Sequence, residues 1–441
     1  MWLRTLSIAL ILVLQASAHG AELQQTFDEP VVFKASEVLS SELRKSENHE
    51  VGEYVTNDGF MNNYVISSPF GTFEARGAPM LRIRVHEVGA LAELDGLSKT
   101  KVFVDAAAQS ALKAATAPIT AATAIVTNPV GTVTGLPGGV KRMFSRQKRK
   151  VEGAVDTTKS VAKSVGEEGE EGEEGEEGES LASQTSEGAK KVGKSVLGTS
   201  KSERRWAKKL GTDPYTTNET LRAAIADVAV VDSAGNIVSD YAVPIGGIAD
   251  LVVEVNDAVW ERDSFELRQM NIARLLEMGV AEEDANAFLD SEVISPSVQT
   301  LMISGLDRLG DIPGRDLILR QATEAEAEDQ ARFYLLSTAM LAWLTGDEHN
   351  VAGLTQHGPV SMANNASGEL VAILPLDYLA WTQLAAEAVA GWPAAEPGND
   401  SKRWVYLAGG ISDLARKNLN DAGWQVRTDL SEEIFAHLAT L

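Results

Sequence analysis

The most regular apolar pattern in the chain begins at Val298. Val298, Leu301, Met302, Gly305, Leu306 and Leu309 recur at i, i+3, i+4, i+7, i+8 and i+11, the spacing that lines one face of an α-helix. Ser295 and Pro296 supply an N-cap and a first-turn proline just before it. A second helix is predicted over about 323–345. It would turn Phe333, Leu336, Met340, Trp343 and Leu344 inward, set its acidic start at the positive end of the helix dipole, and stop at Gly346. Ile272, Leu275 and Leu276 are read as one helix face.

The N-terminal part has a different period. A short helix is expected over Ala35–Lys45, with Val38, Leu39 and Leu43 on one side. From Val51 two β-rich runs flank the turn signal Asn57-Asp58-Gly59, which predicts a hairpin. A further strand follows, with Pro69 and Gly71 at its turn. Leu81, Ile83 and Val85 then alternate with Arg82, Arg84 and His86, which fits either a half-buried strand or the opening of a helix. Helical spacing resumes over Gly89–Leu97, and an alanine-rich helix is expected over Val102–Ala117, closed near Pro118.

Past the middle, Asp227–Ser239 reads as a hairpin with Gly235-Asn236 in its turn, and Val243–Val255 as a buried strand or a short helix. The last ninety residues alternate types. A hairpin turns at Asn364–Gly368, a helix covers Thr382–Ala390, and a strand precedes Ser412 as N-cap. A helix over Asp413–Ala422 stops at Gly423, and a final strand follows. A strand, helix and strand so closely joined predict a βαβ unit.

The predicted fold class is α+β: an N-terminal hairpin-plus-helix region, a disordered charged linker, and a C-terminal helical region followed by a small βαβ-containing domain. The corresponding boundaries are 1–18 for a signal peptide, 22–145, 146–205, 206–350 and 351–441. The signal reading rests on Arg4, the apolar run Leu6–Leu14 and the small-residue pattern Ala16-Ser17-Ala18. That run is too short to span a bilayer. The expected location is therefore periplasmic or secreted, after cleavage near Ala18. The chain has no cysteine, so its domains must be stable on their cores alone, without disulfides or lipid attachment.

Charge alters this picture in the middle of the chain. The net charge of −24 argues against a nucleic-acid partner. Nine glutamates between Glu167 and Glu179 alternate with glycine, a composition that buries nothing and is read as a solvated linker. The stretch 114–140 has no charged residue and carries Gly131, Gly135 and Gly139 at GxxxG spacing, while Pro118, Pro129 and Pro137 interrupt any helix. A basic cluster follows: Lys141, Arg142, Arg146, Lys148, Arg149 and Lys150. Two readings stand, contact with an anionic membrane surface and packing within the N-terminal region.

Candidate chemistry is sparse. Ser110-x-x-Lys113, Ser145-x-x-Lys148 and Ser160-x-x-Lys163 match the serine–lysine spacing of penicillin-binding enzymes, but the companion elements of that site are missing. The six histidines form no close ligand pair. Gly409-Gly410, between a strand and a helix start, could expose amides to an anion, and Gly246–Leu251 resembles Gly409–Leu414. Trp381, Trp392, Trp404 and Trp424 crowd the C-terminal domain, as core anchors or as stacking platforms for sugar rings. No cofactor and no metal are expected. The reading is an exported, non-enzymatic envelope protein that meets a membrane surface or other envelope components through 114–150. The alternative is a periplasmic ligand or glycan binder using the tryptophan-rich domain.

Overall fold

Two five-stranded sheets and a set of helices make up an α+β fold. The computed structural model describes residues 26–101, 103–104, 199–235, 257–346, 351–393 and 402–438. The readings of the signal peptide 1–18, of Val102–Ala117 (beyond its first turn), of 114–150, of the linker 146–205 as far as residue 198, and of Val243–Val255 lie outside these residues; the end of the expected linker is instead the start of a helix, Lys201–Leu210.

The N-terminal sheet holds β1 (Val32–Lys34), β2 (Glu50–Val51), β3 (Tyr54–Asn57), β4 (Asn62–Ser68) and β5 (Gly71–Arg76). The predicted hairpin is present, with Thr56 opposite Asn63 and the turn at Asp58-Gly59. Asn57 Oδ1 and Asp58 Oδ1 accept the turn amides of Gly59, Phe60 and Met61, the local bonding that favours Asn and Asp in turns. The expected helix over Ala35–Lys45 is instead two single turns, α1 (Ala35–Val38) and α2 (Ser41–Arg44). Ser40 breaks it, because its hydroxyl caps the second turn from an extended backbone.

The alternation at Leu81–His86 belongs to a helix, α3 (Ala78–Ser98). Its polar positions mimic a strand because the helix is enclosed on more than one side and the polar groups are buried with partners. Its first half packs Met80, Leu81 and Val85 on the sheet. Its second half packs Leu91, Leu94 and Leu97 on α4 (Lys201–Leu210) and α5 (Glu219–Gly235).

Helix α5 overturns the hairpin expected at Asp227–Ser239. Leu221, Ala224, Ile225, Val228 and Val231 follow helical spacing and are buried against α3 and α4, so tertiary contact overrides the β preference of valine. Four helices follow: α6 (Asp257–Glu261), α7 (Ser264–Glu277), α8 (Glu282–Leu289) and α9 (Pro296–Arg308). In α9 Ser295 accepts the Val298 amide as N-cap, as the sequence predicts. In α7 Leu275 is buried and Ile272 half-buried, but Leu276 is 45% exposed and leaves the predicted face. The helix expected over about 323–345 is present as α11 (Glu328–Gly346), starting about five residues later; α10 (Arg315–Thr323) precedes it, and Glu324–Ala327 connects the two. Of its expected polar start, Glu324 and Glu326 lie in that connection, while Glu328 and Asp329 stand in the first turn, at the positive end of the helix dipole.

The C-terminal sheet runs β12–β10–β8–β7–β6. Its members are β6 (Val351–His357), β7 (Val360–Asn365), β8 (Leu370–Leu374), β10 (Arg403–Leu407) and β12 (Gln425–Arg427). The first three are antiparallel, with the β7–β8 turn where it was expected. Strand β10 lies parallel to both β8 and β12, with α12 (Gln383–Ala390) and α13 (Asp413–Asp421) in the crossovers, so the βαβ unit is present. A small separate parallel pair, β9 (Tyr378–Leu379) with β11 (Gly410–Ile411), follows β8 and β10 along the chain, and α14 (Ser431–Leu438) packs on α11. One apolar core extends from Leu275 to Ile434 and takes in Phe60 and Met61 from the N-terminal turn.

Candidate functional site

Two clusters of polar side chains join α3 to elements distant in sequence. At the first, Glu87 on α3 is 1% exposed. Its carboxylate accepts from Arg84 Nη1 at 2.7 Å, from Asn218 Nδ2 at 3.0 Å and from the Thr216 hydroxyl. Arg84 reaches onward to Thr217 Oγ1 at 2.7 Å and to Glu328 Oε2 at 3.3 Å. Burial works against the Arg84 cation, but Glu87 and Glu328 outweigh it and raise its pKa. The loop before α5 also supplies Asp213, whose Oδ1 accepts both the Tyr215 amide at 2.8 Å and the Ser297 hydroxyl of α9. Desolvation pushes the Asp213 carboxyl up to about 6, with Ser297, Tyr215 and Arg332 opposing. Beside this cluster His86 Nε2 donates to the Leu210 carbonyl at 2.9 Å, and burial lowers its pKa.

The second junction centres on Asp377. Its Oδ1 accepts the amide of Ala78, the first residue of α3, at 3.0 Å, and its Oδ2 the amide of Asn62 at 2.8 Å. Gly77 precedes α3 at φ 87° and has no side chain to cap it, so an aspartate from the far end of the chain does so. Burial pushes the Asp377 carboxyl up to about 6, and Asp58 adds to the effect. Burial, together with the charge of Asp377, raises the Tyr64 phenol. The neighbouring backbone is equally tied: Tyr378 and Ala380 donate to the carbonyls of Phe60 and Gly59.

Asp28 completes this junction. Its amide donates to Trp381 O at 3.0 Å, while its Oδ2 accepts from Trp381 N at 2.6 Å and from the Ser412 hydroxyl at 2.5 Å. The Gly409-Gly410 reading is thereby corrected. The amides of Gly409, Gly410 and Ser412 donate to the carbonyls of Leu376, Asp377 and Leu379, so they are not open to an anion. Glycine is needed at 409 because a Cβ there would lie 1.9 Å from the Asp377 carbonyl oxygen. The anion at this helix start is the chain's own Asp28.

The other candidates fall as follows. The basic residues Lys141, Arg142, Arg146, Lys148, Arg149 and Lys150, the three serine–lysine pairs, and Gly246–Leu251 lie outside the described residues. Trp381, Trp392 and Trp424 are buried in the C-terminal core, with Trp392 and Trp424 edge to face at 5.1 Å between ring centroids. Trp404 is half-buried beside Tyr406. Three of the four rings therefore have no face turned to solvent. His49 is buried on the Leu43 carbonyl and Ser46, and His357 is half-buried. Among the described residues no group of three His, Asp or Glu is placed to hold a metal ion, and no helix is long and apolar enough to cross a membrane. The roles of Glu87, Asp213, Asp377 and Asp28 were missed in the sequence, because each depends on partners far along the chain.

No family model, curated protein or solved structure matches this chain.

Proposed function

We propose that the chain is an exported, non-enzymatic protein of the cell envelope, held peripherally at an anionic membrane surface by 114–150. The observation that carries the reading is the order of segments: a signal-like N-terminus, then an uncharged stretch followed at once by six basic residues within ten positions. The polar clusters support the non-enzymatic part. Glu87, Asp213, Asp377 and Asp28 each spend their carboxylates on donors of the same chain, joining elements distant in sequence. The burial of Trp381, Trp392 and Trp424 weighs against glycan stacking as the alternative.

Liposome flotation tests the reading with the mature chain, a version lacking 166–179, and a version with the six basic residues changed to glutamine. Each basic residue near an anionic surface contributes about 1 kcal/mol, and the glutamate run competes for the same residues. Binding is expected to be weak in the mature chain, stronger without 166–179, lost in the glutamine version, and reduced by salt. No binding to anionic vesicles by the version lacking 166–179 at low salt overturns the membrane reading.

A further inference from the structure

The N-terminal sheet buries one face and leaves the other in water. Val55, Tyr64, Ile66 and Ala75 face its core. On the outer face Val32 is 56%, Tyr54 67% and Val65 47% exposed, three large apolar side chains on adjoining strands. Strand pairing orders this face in rows. Val32 lies opposite Thr56, Thr56 opposite Asn63, and Asn63 opposite Arg76. Two residues along, Lys34 lies opposite Tyr54, and Val65 opposite Glu74. The second row thus holds a cation and an aromatic ring on β1 and β3, and an aliphatic side chain and an anion on β4 and β5, with the ladder interrupted between the two halves where the Gly52 amide donates to the Val65 carbonyl. Lys34, Glu74 and Arg76 form no ion pair among the described residues.

This order is self-complementary. A two-fold axis parallel to the strands, between β3 and β4, sets Lys34 over Glu74 of a second copy and Tyr54 over its Val65. The same axis sets Thr56 over Asn63 and lays the Arg76 stem across Val32. A polyanion or an anionic lipid surface would meet Glu74 as well as the cations, so a surface of one sign is a poorer fit than the face itself.

We propose that the outer face of the N-terminal sheet is a self-association surface, two copies packing face to face with reciprocal Lys34–Glu74 pairs at both ends. Eight side chains a copy fall well below the roughly 20–30 residues a side of a stable interface, so the dimer is weak, with Kd on the order of 100 μM.

Sedimentation equilibrium on the mature chain, from micromolar to several hundred micromolar at low salt, tests this. A monomer–dimer equilibrium is expected. Lys34→Glu and Glu74→Lys each place like charges together twice, and each should weaken association at least tenfold. The double variant Lys34→Glu/Glu74→Lys should restore it to within about threefold, which a general loss of folding cannot do. Both positions are on the surface, where substitutions leave stability nearly unchanged. A chain that stays monomeric throughout, or a dimer that survives both single changes, overturns the proposal, as does failure of the double variant to recover.

Discussion

Asp377 Oδ1 accepts the backbone amide of Ala78 at 3.0 Å across 299 residues of chain, so the longest helix of the N-terminal module is capped by the C-terminal domain. Asp377→Ala leaves the amides of Ala78 and Asn62 without their acceptor. Each orphaned amide costs about 1–3 kcal/mol, so a loss of about 3 kcal/mol is expected in urea unfolding. A loss below about 1 kcal/mol would mean that water takes the place of the carboxylate.

Asp213 gives a pH dependence opposite in sign to that of an ordinary paired aspartate. Its carboxyl stands at about 6 in the fold against 3.8 when free, so the fold binds this proton more tightly than the unfolded chain. Its contribution is most favourable below the unfolded value and is lost as pH rises through 6. Asp213→Asn keeps Oδ1 for Ser297 and Tyr215 and removes the charge. The variant should be more stable than the parent by about 2 kcal/mol at pH 8, after allowance for partial contact with water, and nearly equal to it at pH 4. His86, whose pKa burial lowers, acts oppositely and erodes stability as pH falls through its unfolded value, so only the difference between parent and variant isolates Asp213. Equal stability at pH 8 would refute this account.

Glu87 and Arg84 make a pair that a double-mutant cycle can weigh. Glu87→Ala abandons Arg84, Thr216 and Asn218 at once and should cost about 3–5 kcal/mol. Arg84→Ala in the Glu87→Ala background should cost much less than alone, with a coupling of about 1.5–3 kcal/mol by thermal unfolding. Additive losses would show that the two act separately.

Two glycines should respond in opposite directions. Gly409→Ala drives a Cβ into the Asp377 carbonyl, a backbone atom pinned by the Gly410 amide, and should cost about 3 kcal/mol in denaturant unfolding. Gly89 lies inside α3, and a Cβ added there would meet nothing within 4 Å, so Gly89→Ala should gain about 0.5–1 kcal/mol. A gain at 409 or a loss at 89 contradicts the packing described.

Elements whose signals are local were legible in the sequence. Asn57-Asp58-Gly59 marks its own turn, Ser295-Pro296 its own helix start, and Ser412 and Gly423 bracket their helix. Val228 and Val231 misled because their β preference is local while their burial against α3 and α4 is not. Leu81–His86 stayed ambiguous because a helix enclosed on several sides buries its polar positions too. The junctions were illegible for the same reason in stronger form. Asp377 is one aspartate among many until Ala78 and Asn62 are beside it, and nothing near Glu87 in the sequence announces Thr216 and Asn218.

The hold of Asp28 on Ser412 has a consequence for the order of assembly. Ser412 is polymerised 384 residues after Asp28, which at about 5–20 residues per second is a delay of about 20–80 s. Through most of that time the first strands exist without the groups that seat them, since Asp377 and Trp381 precede Ser412 only shortly. The segment made first is thus among the last to be locked in place, and a nascent chain stopped short of Ser412 lacks the partner that closes the fold.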